Sequence, residues 1–400
     1  MSTEVMAMEE RVSVDEPTAL PTNSAPAGGI VSSAFRRGIS ALASGLDWLF
    51  GFVSLVIGLA ILAVIPGLNI LSLGYLIEVS GRVARSGRLR DGWIGIRKAS
   101  VIGSVLTGAW LVLLPVRFLA GLAEDAALID PASPSTRVWA VGVPVLGAVA
   151  LMQILWACIR GGRLRHFLWP APIRCLRWIT TSGKWRCLWI GGVTYLRGLR
   201  LSHYFWLGAR GFAGAVAWLV LPVALLFAGA QLAPKPSGAA ASFLGGGLLM
   251  LAALYLPFLQ ARFGREDQWR ALFDWRAVRH DFARAPIAFL TALLITLLFA
   301  LPLYLLKVEL PPRELTWLPS LVFVLFGLPA RFLAGWALGR AGRRQEPRHG
   351  LFRWAGRLGM VPIVLAYVLW VYFSQFVSWN GALGLLEQHA FLVPAPLLSL

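Results

Sequence analysis

Three ionisable residues lie inside otherwise apolar stretches of the sequence. Glu78 lies near the end of the short stretch 68–82, and Arg117 and Arg331 lie in longer apolar runs. A charged side chain within a membrane is costly and is by default a functional hypothesis. We therefore take these three as the candidate site for an ion or an anionic ligand. Glu78 either binds a proton or ligand, or forms an interfacial i,i+4 ion pair with Arg82; both interpretations stay open.

Arg117 and Arg331 lie in matching motifs, LPVRFLAGLA at 114–123 and LPARFLAGWA at 328–337, which agree at eight of ten positions. In the predicted topology the two motifs run in opposite directions, as in the inverted repeats of transporters, where an arginine beside a proline kink can bind an anion. The alternatives are a chance match or shared packing chemistry. Arg331 also lies close enough to the membrane boundary to snorkel to it.

Patterns typical of catalytic and metal sites are absent from the sequence. The five histidines form no HExxH pattern, and no Walker loop or GxSxG elbow occurs. The three cysteines, Cys158, Cys175 and Cys187, are spaced neither for zinc nor for a disulfide framework. We therefore predict no catalytic residue, no metal and no cofactor, and an enzymatic function is unsupported.

The composition is that of a membrane protein. Hydrophobic residues make up 58% of the 400 residues and charged residues only 14%, against about 25% charged in an ordinary soluble domain. A formal charge of +18 is also typical of nucleic-acid binders, which concentrate it on one face of a soluble fold. Here the basic residues lie between long apolar runs, so we predict no nucleic-acid partner.

Eight apolar runs have the length that a hydrocarbon core about 30 Å thick requires of a helix. They cover approximately 48–65, 100–122, 138–159, 211–232, 242–260, 287–306, 316–338 and 358–378. The stretch 68–82 is short for a ninth crossing, and residues 48–82 are predicted to form a helical hairpin that either spans fully or is re-entrant. The predicted fold class is therefore an all-α polytopic bundle with eight or nine membrane segments.

The distribution of basic residues predicts the orientation. If the turn Pro66-Gly67-Leu68-Asn69 reverses the chain, the opposite loops hold only Arg137, Lys235, Lys307 and Arg313, whereas most of the 37 Lys and Arg residues flank the other side. That side is cytoplasmic by the positive-inside rule. The sequence thus predicts a multi-pass protein of the bacterial inner membrane with a cytoplasmic N-terminus.

Three domains are predicted from this pattern: a disordered cytoplasmic tail (1–46), a membrane domain (47–380) and an extracytoplasmic tail (381–400). Two cytoplasmic segments interrupt the membrane domain. The segment 160–210 interleaves arginines with tryptophans and suits anionic headgroups. The segment 261–286 contains an amphipathic interfacial helix, on which Arg270 and Asp274, and Asp281 and Arg284, are spaced for ion pairs.

Two blocks resemble an uncharacterised prokaryotic family of multi-pass membrane proteins, a domain of unknown function. They are LSLGYLIEVSGRVARSGRLRDGW at 71–93 and FGREDQWRALFDWRAVRHDFARAPIAFLTALLITLLFALPLYLLKVELPP at 263–312. The resemblance implies a polytopic membrane domain over about residues 48–340, and it implies no activity, ligand or catalytic residue. The segment 160–210 departs from the family pattern.

Three functional hypotheses follow. The first is a transporter-like or lipid-interacting protein that handles or senses lipid or another amphiphilic anion. The second is a non-catalytic scaffold or assembly subunit, with membrane-protein partners or further copies of itself. The third is a lipid-modifying membrane enzyme. The partners predicted in every case are the bilayer and the anionic headgroups of its cytoplasmic face.

Overall fold

The protein is helical throughout the part of the chain that the structure describes. The computed structural model describes residues 28–179, 184–302, 317–378 and 381–385, and no strand occurs among them. Numbered in chain order, their α-helices are α1 (Gly28–Val64), α2 (Asn69–Ser86), α3 (Ile96–Ile129), α4 (Pro134–Ile159), α5 (Leu164–Leu168), α6 (Pro172–Ile179), α7 (Lys184–Gly198), α8 (Leu201–Gln231), α9 (Pro236–Glu266), α10 (Trp275–Arg284), α11 (Pro286–Leu298), α12 (Trp317–Gly342) and α13 (Gly350–Val377). The predicted all-α class is confirmed.

Among the described residues, seven helical segments are long and apolar enough to cross a membrane, and each overlaps a predicted span. They are Ala41–Val64, Ile96–Ile129, Pro134–Ile159, Ile190–Gln231, Pro236–Glu266, Leu318–Gly342 and Gly350–Val377. The predicted span at 287–306 begins in α11, which passes the same test only together with α10, from which it is bent by 115°. Residues 303–306 lie outside the described residues. The structure supports a polytopic membrane protein, and the count of eight or nine segments stays a prediction.

The chain turns between α1 and α2 at residues 65–68. Gly67 has φ +82°, a conformation that glycine adopts without steric cost. The Ser72 hydroxyl donates a hydrogen bond of 2.7 Å to the Leu59 carbonyl across the turn. Trp93, beyond the end of α2, packs edge-on against Trp48 with ring centroids 5.4 Å apart. The two helices are therefore antiparallel.

The ends of the chain are described in part. The predicted tail, 1–46, is helical from Gly28 onward as the beginning of α1, and residues 1–27 lie outside the described residues. Ala, Leu and Ile recur through this part of α1, and they are compatible with a helix that continues into the apolar run. In the predicted C-terminal tail, Gly381–Leu385 forms a 3-10 turn, and residues 386–400 are not described.

Among the helices that the structure describes from Trp48 onward, α2 has the largest share of buried residues. Thirteen of its 18 residues are buried, and it packs against α8, α9 and α12. α2 is not among the seven apolar spans because Glu78, Arg82 and Arg85 lower its hydropathy. Since protein surrounds α2, its side chains do not need to be compatible with lipid.

Small residues bring the neighbouring helices close to α2. A Cβ on Gly81 would overlap the carbonyl group of Gly264 on α9, and a Cβ on Gly74 would overlap the carbonyl oxygen of Tyr204 on α8. Small residues at helix contacts are a recurrent device in membrane bundles, because they let two backbones approach closely. The close packing of α2 against α8 and α9 thus depends on the absence of a side chain at Gly74 and Gly81.

The predicted amphipathic segment after α9 divides into two elements. A 3-10 turn covers Trp269–Leu272 and α10 begins at Trp275. The predicted pairing of Asp274 with Arg270, and of Asp281 with Arg284, is wrong. Arg262 on α9 instead lies 3.6 Å from Asp274 Oδ2 and 3.2 Å from Asp281 Oδ2, because α10 folds back onto α9 and turns Asp281 into the protein, where it is buried.

The segment 160–210 folds onto the α3–α4 pair. It contains α5, α6, α7 and the first turns of α8. The Trp156 indole donates to the Pro170 carbonyl over 2.8 Å, and the Tyr195 hydroxyl donates to the Lys98 carbonyl over 2.9 Å. Trp169 and Trp206 are exposed, which agrees with a surface that faces headgroups or water.

We expect Gly81→Ala to destabilise the protein. The added methyl group overlaps backbone atoms of Gly264, which cannot rotate away, and overpacking of this kind costs about 1–3 kcal/mol. The measurement is the thermal unfolding midpoint of the detergent-purified protein. Gly142→Ala on α4 is the control, because it meets no atom within 4 Å. Equal midpoints for the two variants would contradict the close approach of α2 and α9.

Candidate functional site

Glu78 is the centre of a charged cluster on α2. Its Oε1 lies 3.0 Å from Arg82 Nε and 3.0 Å from Arg85 Nη2, and its Oε2 lies 3.5 Å from His203 Nε2 on α8. The predicted i,i+4 pair with Arg82 is therefore present. The Glu78 side chain is 8% exposed, whereas those of Arg82 and Arg85 are 37% and 43% exposed. The carboxylate is thus inside the bundle and its cations reach out toward the surface.

Arg85 joins this cluster to the end of α9. Its Nη1 donates to the carbonyl oxygens of Gly264 and Arg265, over 2.7 and 3.1 Å. The last carbonyls of a helix lack partners within the helix and carry a partial negative charge, so a guanidinium is favourable there. Arg85 therefore contacts Glu78 and the α9 terminus at the same time, which fixes where α2 ends against α9.

A polar cavity of about 650 Å³ opens beside this cluster. Three arginine side chains and three carboxylates line it. The lining residues are Arg82, Arg85, Arg200, Glu78, Asp91, Asp267, Ser86, His203 and Gly264.

Most of these charges have partners within the protein. Glu78 contacts Arg82 and Arg85. Asp267 is bound by Arg210, with Oδ1 2.6 Å from Nη2, and Asp91 lies 3.9 Å from Arg90. Arg200 forms no ion pair with a carboxylate of the described residues. The cavity thus presents an unpaired guanidinium beside two others that share one carboxylate.

An apolar cavity of about 600 Å³ shares Arg82 and Arg200 with the polar cavity. It runs between α1, α2, α3 and α8, and residues such as Leu55, Leu59, Ile102 and Leu106 line it. Its basic lining residues are Arg82, Lys98 and Arg200. Arg82 and Arg200 therefore line both cavities, with polar surroundings on one side and aliphatic surroundings on the other.

The backbone of Arg200 is in an uncommon conformation. Its φ is +53°, in the left-handed region, at the residue that precedes α8. Few residues other than glycine adopt this region, and such residues often occur at functional sites. Lys98 Nζ donates to the Gly198 carbonyl two residues earlier. The junction between α7 and α8 is thus held onto α3, and it carries Arg200 to the boundary of the two cavities.

Arg331 lies in a different environment. Its side chain is buried between α12 and α9, where Nη1 donates over 2.7 Å to Oε1 of Gln260. The cavity beside it measures only about 30 Å³, which is far below the size of a small-molecule site. An interhelical hydrogen bond between polar side chains is a common link in membrane bundles, and Arg331 forms one here.

The structure does not bring Arg117 into an equivalent position. Arg117 is exposed on α3, a helix that packs against α4 and α5. The two LPxRFLAG motifs therefore have different surroundings, one on a peripheral helix and one in the bundle. Of the three candidate residues, Glu78 alone lines a cavity of ligand size in the described structure. An anion site at Arg117 or Arg331 stays a prediction.

The sequence alone connects three members of this site with Glu78 in no way. It predicts Arg85 as part of a basic membrane flank, it predicts Arg200 as part of the segment 160–210 that suits anionic headgroups, and it places His203 in no metal-binding pattern. His203 is 125 residues from Glu78 in the chain, so no local spacing signals their contact. Among the described residues, no group of three or more His, Cys, Asp or Glu side chains is placed to hold a metal ion.

No family model, curated protein or solved structure matches this chain. The predicted resemblance to an uncharacterised membrane protein family stays a prediction. Function must therefore be argued from the geometry and charge of the site.

We expect Glu78→Gln to lower the thermal unfolding midpoint. The substitution leaves Arg82 and Arg85 without their carboxylate, at a cost of about 1–3 kcal/mol, below that for a fully buried pair because both arginines are partly exposed. Glu124→Gln on the exposed surface of α3 removes the same charge and is the control. If both glutamine variants have the same thermal unfolding midpoint as the unmodified protein, the Glu78 cluster does not hold α2 in place.

Proposed function

We propose that the protein binds an anionic amphiphile, such as an anionic membrane lipid, and handles or senses it as a transporter-like component of the membrane. The observation that carries the proposal is that the polar and apolar cavities share Arg82 and Arg200. An anionic headgroup in the polar cavity would meet these guanidinium groups, and its acyl chain would occupy the apolar cavity between α1 and α3.

The charges favour an anion over a neutral or cationic ligand. Arg200 has no carboxylate partner among the described residues, so a bound phosphate or carboxylate would complete its hydrogen bonds. Bonds between guanidinium and phosphate are charge-assisted and often bidentate. The three carboxylates of the lining each lie beside an arginine other than Arg200: Glu78 beside Arg82 and Arg85, Asp91 beside Arg90 and Asp267 beside Arg210.

The proposed setting is the bacterial inner membrane, with the N-terminus and the polar cavity at the cytoplasmic leaflet. Contacts that bring the basic ends of α2, α9 and α12 together support this orientation. Arg85 at the end of α2 binds the Gly264 carbonyl near the end of α9, and Arg343 beyond α12 donates over 2.8 Å to the Gly87 carbonyl. Anionic lipids of the cytoplasmic leaflet attract such a basic cluster by about 1 kcal/mol per residue.

This orientation places residue 90 in the cytoplasm. A cysteine introduced in place of Arg90, in a variant that lacks the three native cysteines, is expected to react with a membrane-impermeant maleimide only after the cells are opened. A cysteine introduced at Lys235, in the loop before α9, is the opposite control and is expected to react in intact cells. Labelling of position 90 in intact cells would overturn the orientation and the hairpin topology together.

We expect Arg200→Ala to weaken the binding of phosphatidylglycerol by about tenfold or more, since a hydrogen bond to a charged group contributes about 1.5–3 kcal/mol. The measurement is titration of the purified, delipidated protein in detergent, followed by native mass spectrometry. Glu78→Gln is expected to change the affinity in the opposite direction, because it removes a competing negative charge from the same cavity.

The control for this titration is Arg90→Ala, which removes a positive charge from the 3-10 turn Leu89–Gly92 and lines neither cavity. A second arm compares long-chain with short-chain phosphatidylglycerol and with inorganic phosphate, because a free phosphate cannot use the apolar cavity. Equal losses for Arg200→Ala and Arg90→Ala, or equal affinities for phosphate and long-chain lipid, would refute the proposal.

A role as an assembly subunit is the second candidate, and the α3–α4 pair favours it. Only Ile96, Ser104 and Gly108 are buried on α3, and only Ala150, Trp156 and Ala157 on α4, so lipid or a partner protein must cover the rest. Purification in a mild detergent separates the two functions. Stoichiometric lipid in a monomeric particle favours lipid handling, and stable co-purified subunits or further copies of the chain favour assembly.

A further inference from the structure

A separate apolar groove of about 370 Å³ lies between α9, α10, α11 and α13. Its floor is aromatic, with the rings of Phe258 and Phe289 4.4 Å apart between centroids and Phe282 edge-on to Phe289. Met250 and Met360 line its sides, and methionine adapts its shape to an irregular ligand. The groove lies within the range of volumes typical of small-molecule sites, and it shares no lining residue with the two cavities around Arg200.

Two arginines from different helices line this groove. Arg279 on α10 lies 5.4 Å from the ring of Trp275, and Arg357 on α13 lies 5.8 Å from the ring of Trp354. Both are exposed, and neither forms an ion pair with a carboxylate of the described residues. No acidic side chain lines the groove. An otherwise apolar groove thus carries two positive charges with no counter-charge.

The bend between α10 and α11 shapes the groove. The two helices meet at 115° at Pro286, and α13 crosses this bend at Gly356. A Cβ built on Gly356 would lie 3.0 Å from Pro286 and 3.1 Å from Phe282. Arg357, the next residue, lines the groove together with Arg279 of α10. The two guanidinium groups are therefore held by separate helices that meet at one place.

We infer that this groove is a specific site for an anionic phospholipid, with one acyl chain on the aromatic floor and the phosphate group bound by Arg279 and Arg357. Charge complementarity selects this occupant. A neutral chain would leave two cations unpaired, and a zwitterionic headgroup would bring its own cation toward them. The inference does not depend on the proposed function, because it uses different residues on different helices.

The alternative is that the groove holds whichever lipid of the surrounding layer is nearest, without selection of the headgroup. Lipids that merely surround a membrane protein exchange with the bulk and follow its composition. A site built by two arginines instead favours one headgroup class and loses that preference when both are removed. The headgroup preference at this groove therefore distinguishes a specific phospholipid site from unselective contact with the surrounding lipid.

The experiment labels the groove with a phosphatidylglycerol that carries a photoreactive group near the end of one acyl chain. The purified full-length protein is reconstituted in phosphatidylcholine nanodiscs that contain the probe, irradiated, and mapped by peptide mass spectrometry. We expect labels on α9 near Met250–Phe258 and on α13 near Met360–Val364. Unlabelled phosphatidylglycerol is expected to compete at least about tenfold better than phosphatidylcholine, since each hydrogen bond to a charged group is worth a tenfold change or more.

The variant arm compares Arg279→Ala/Arg357→Ala with Arg276→Ala/Arg353→Ala, which removes two arginines from the same helices outside the groove. The first pair is expected to lose most of the labelling and the second to retain it, with unfolding midpoints measured for both. Equal competition by the two lipids, equal loss in both pairs, or labels confined to other helices would overturn the inference. Arg200→Ala is expected to leave this labelling unchanged, so the experiment tests the inference about this groove independently of the proposed function.

Discussion

The burial of α2 is the constraint on which the rest of the site depends. Thirteen of its residues are buried against other helices, and one of them is a carboxylate. A buried charge is stable only when it is paired and hydrogen-bonded. Glu78 meets this condition through Arg82 and Arg85, which extend from the buried turn toward the exposed end of α2. The charged cluster is therefore a consequence of a central helix that carries an acid.

The same constraint explains the basic surface around the cavity. Since Arg85 binds both Glu78 and the carbonyls at the end of α9, the end of α2 is fixed against α9. The polar cavity forms between these ends and the beginning of α8. Three guanidinium groups line it, and they are brought together from two separate stretches of the chain. The meeting of these three cations is thus set by packing as well as by composition.

The sequence predicts the helices well because the bilayer requires a minimum length of apolar chain. The turn at Pro66–Gly67 and the pair Glu78–Arg82 are also local features, and both are present. The role of α2 was not predictable in this way. Its short length predicts a segment that either spans the membrane or is re-entrant, whereas the structure surrounds it with α8, α9 and α12. Hydropathy reports compatibility with lipid, and it does not distinguish a surface helix from one buried in protein.

Contacts between distant parts of the chain account for what sequence reasoning missed. His203 reaches Glu78 because α8 packs on α2, and Asp281 reaches Arg262 because α10 folds back onto α9. Local spacing favoured other partners for Asp274 and Asp281, and the helix contacts replaced them. The two matching arginine motifs show the same limit, since nearly the same sequence neighbours accompany a buried Arg331 and an exposed Arg117.

The position of Arg200 bears on which ligands the site would accept. Arg200 is exposed, so water competes with an anion for its guanidinium and the charge attraction alone is weak. An inorganic anion could use this attraction but would leave the apolar cavity unfilled. A fatty chain could fill the cavity but would form no charge-assisted hydrogen bond with Arg200. A ligand with both parts gains both interactions, because the charge and the apolar surface meet at the same two arginines.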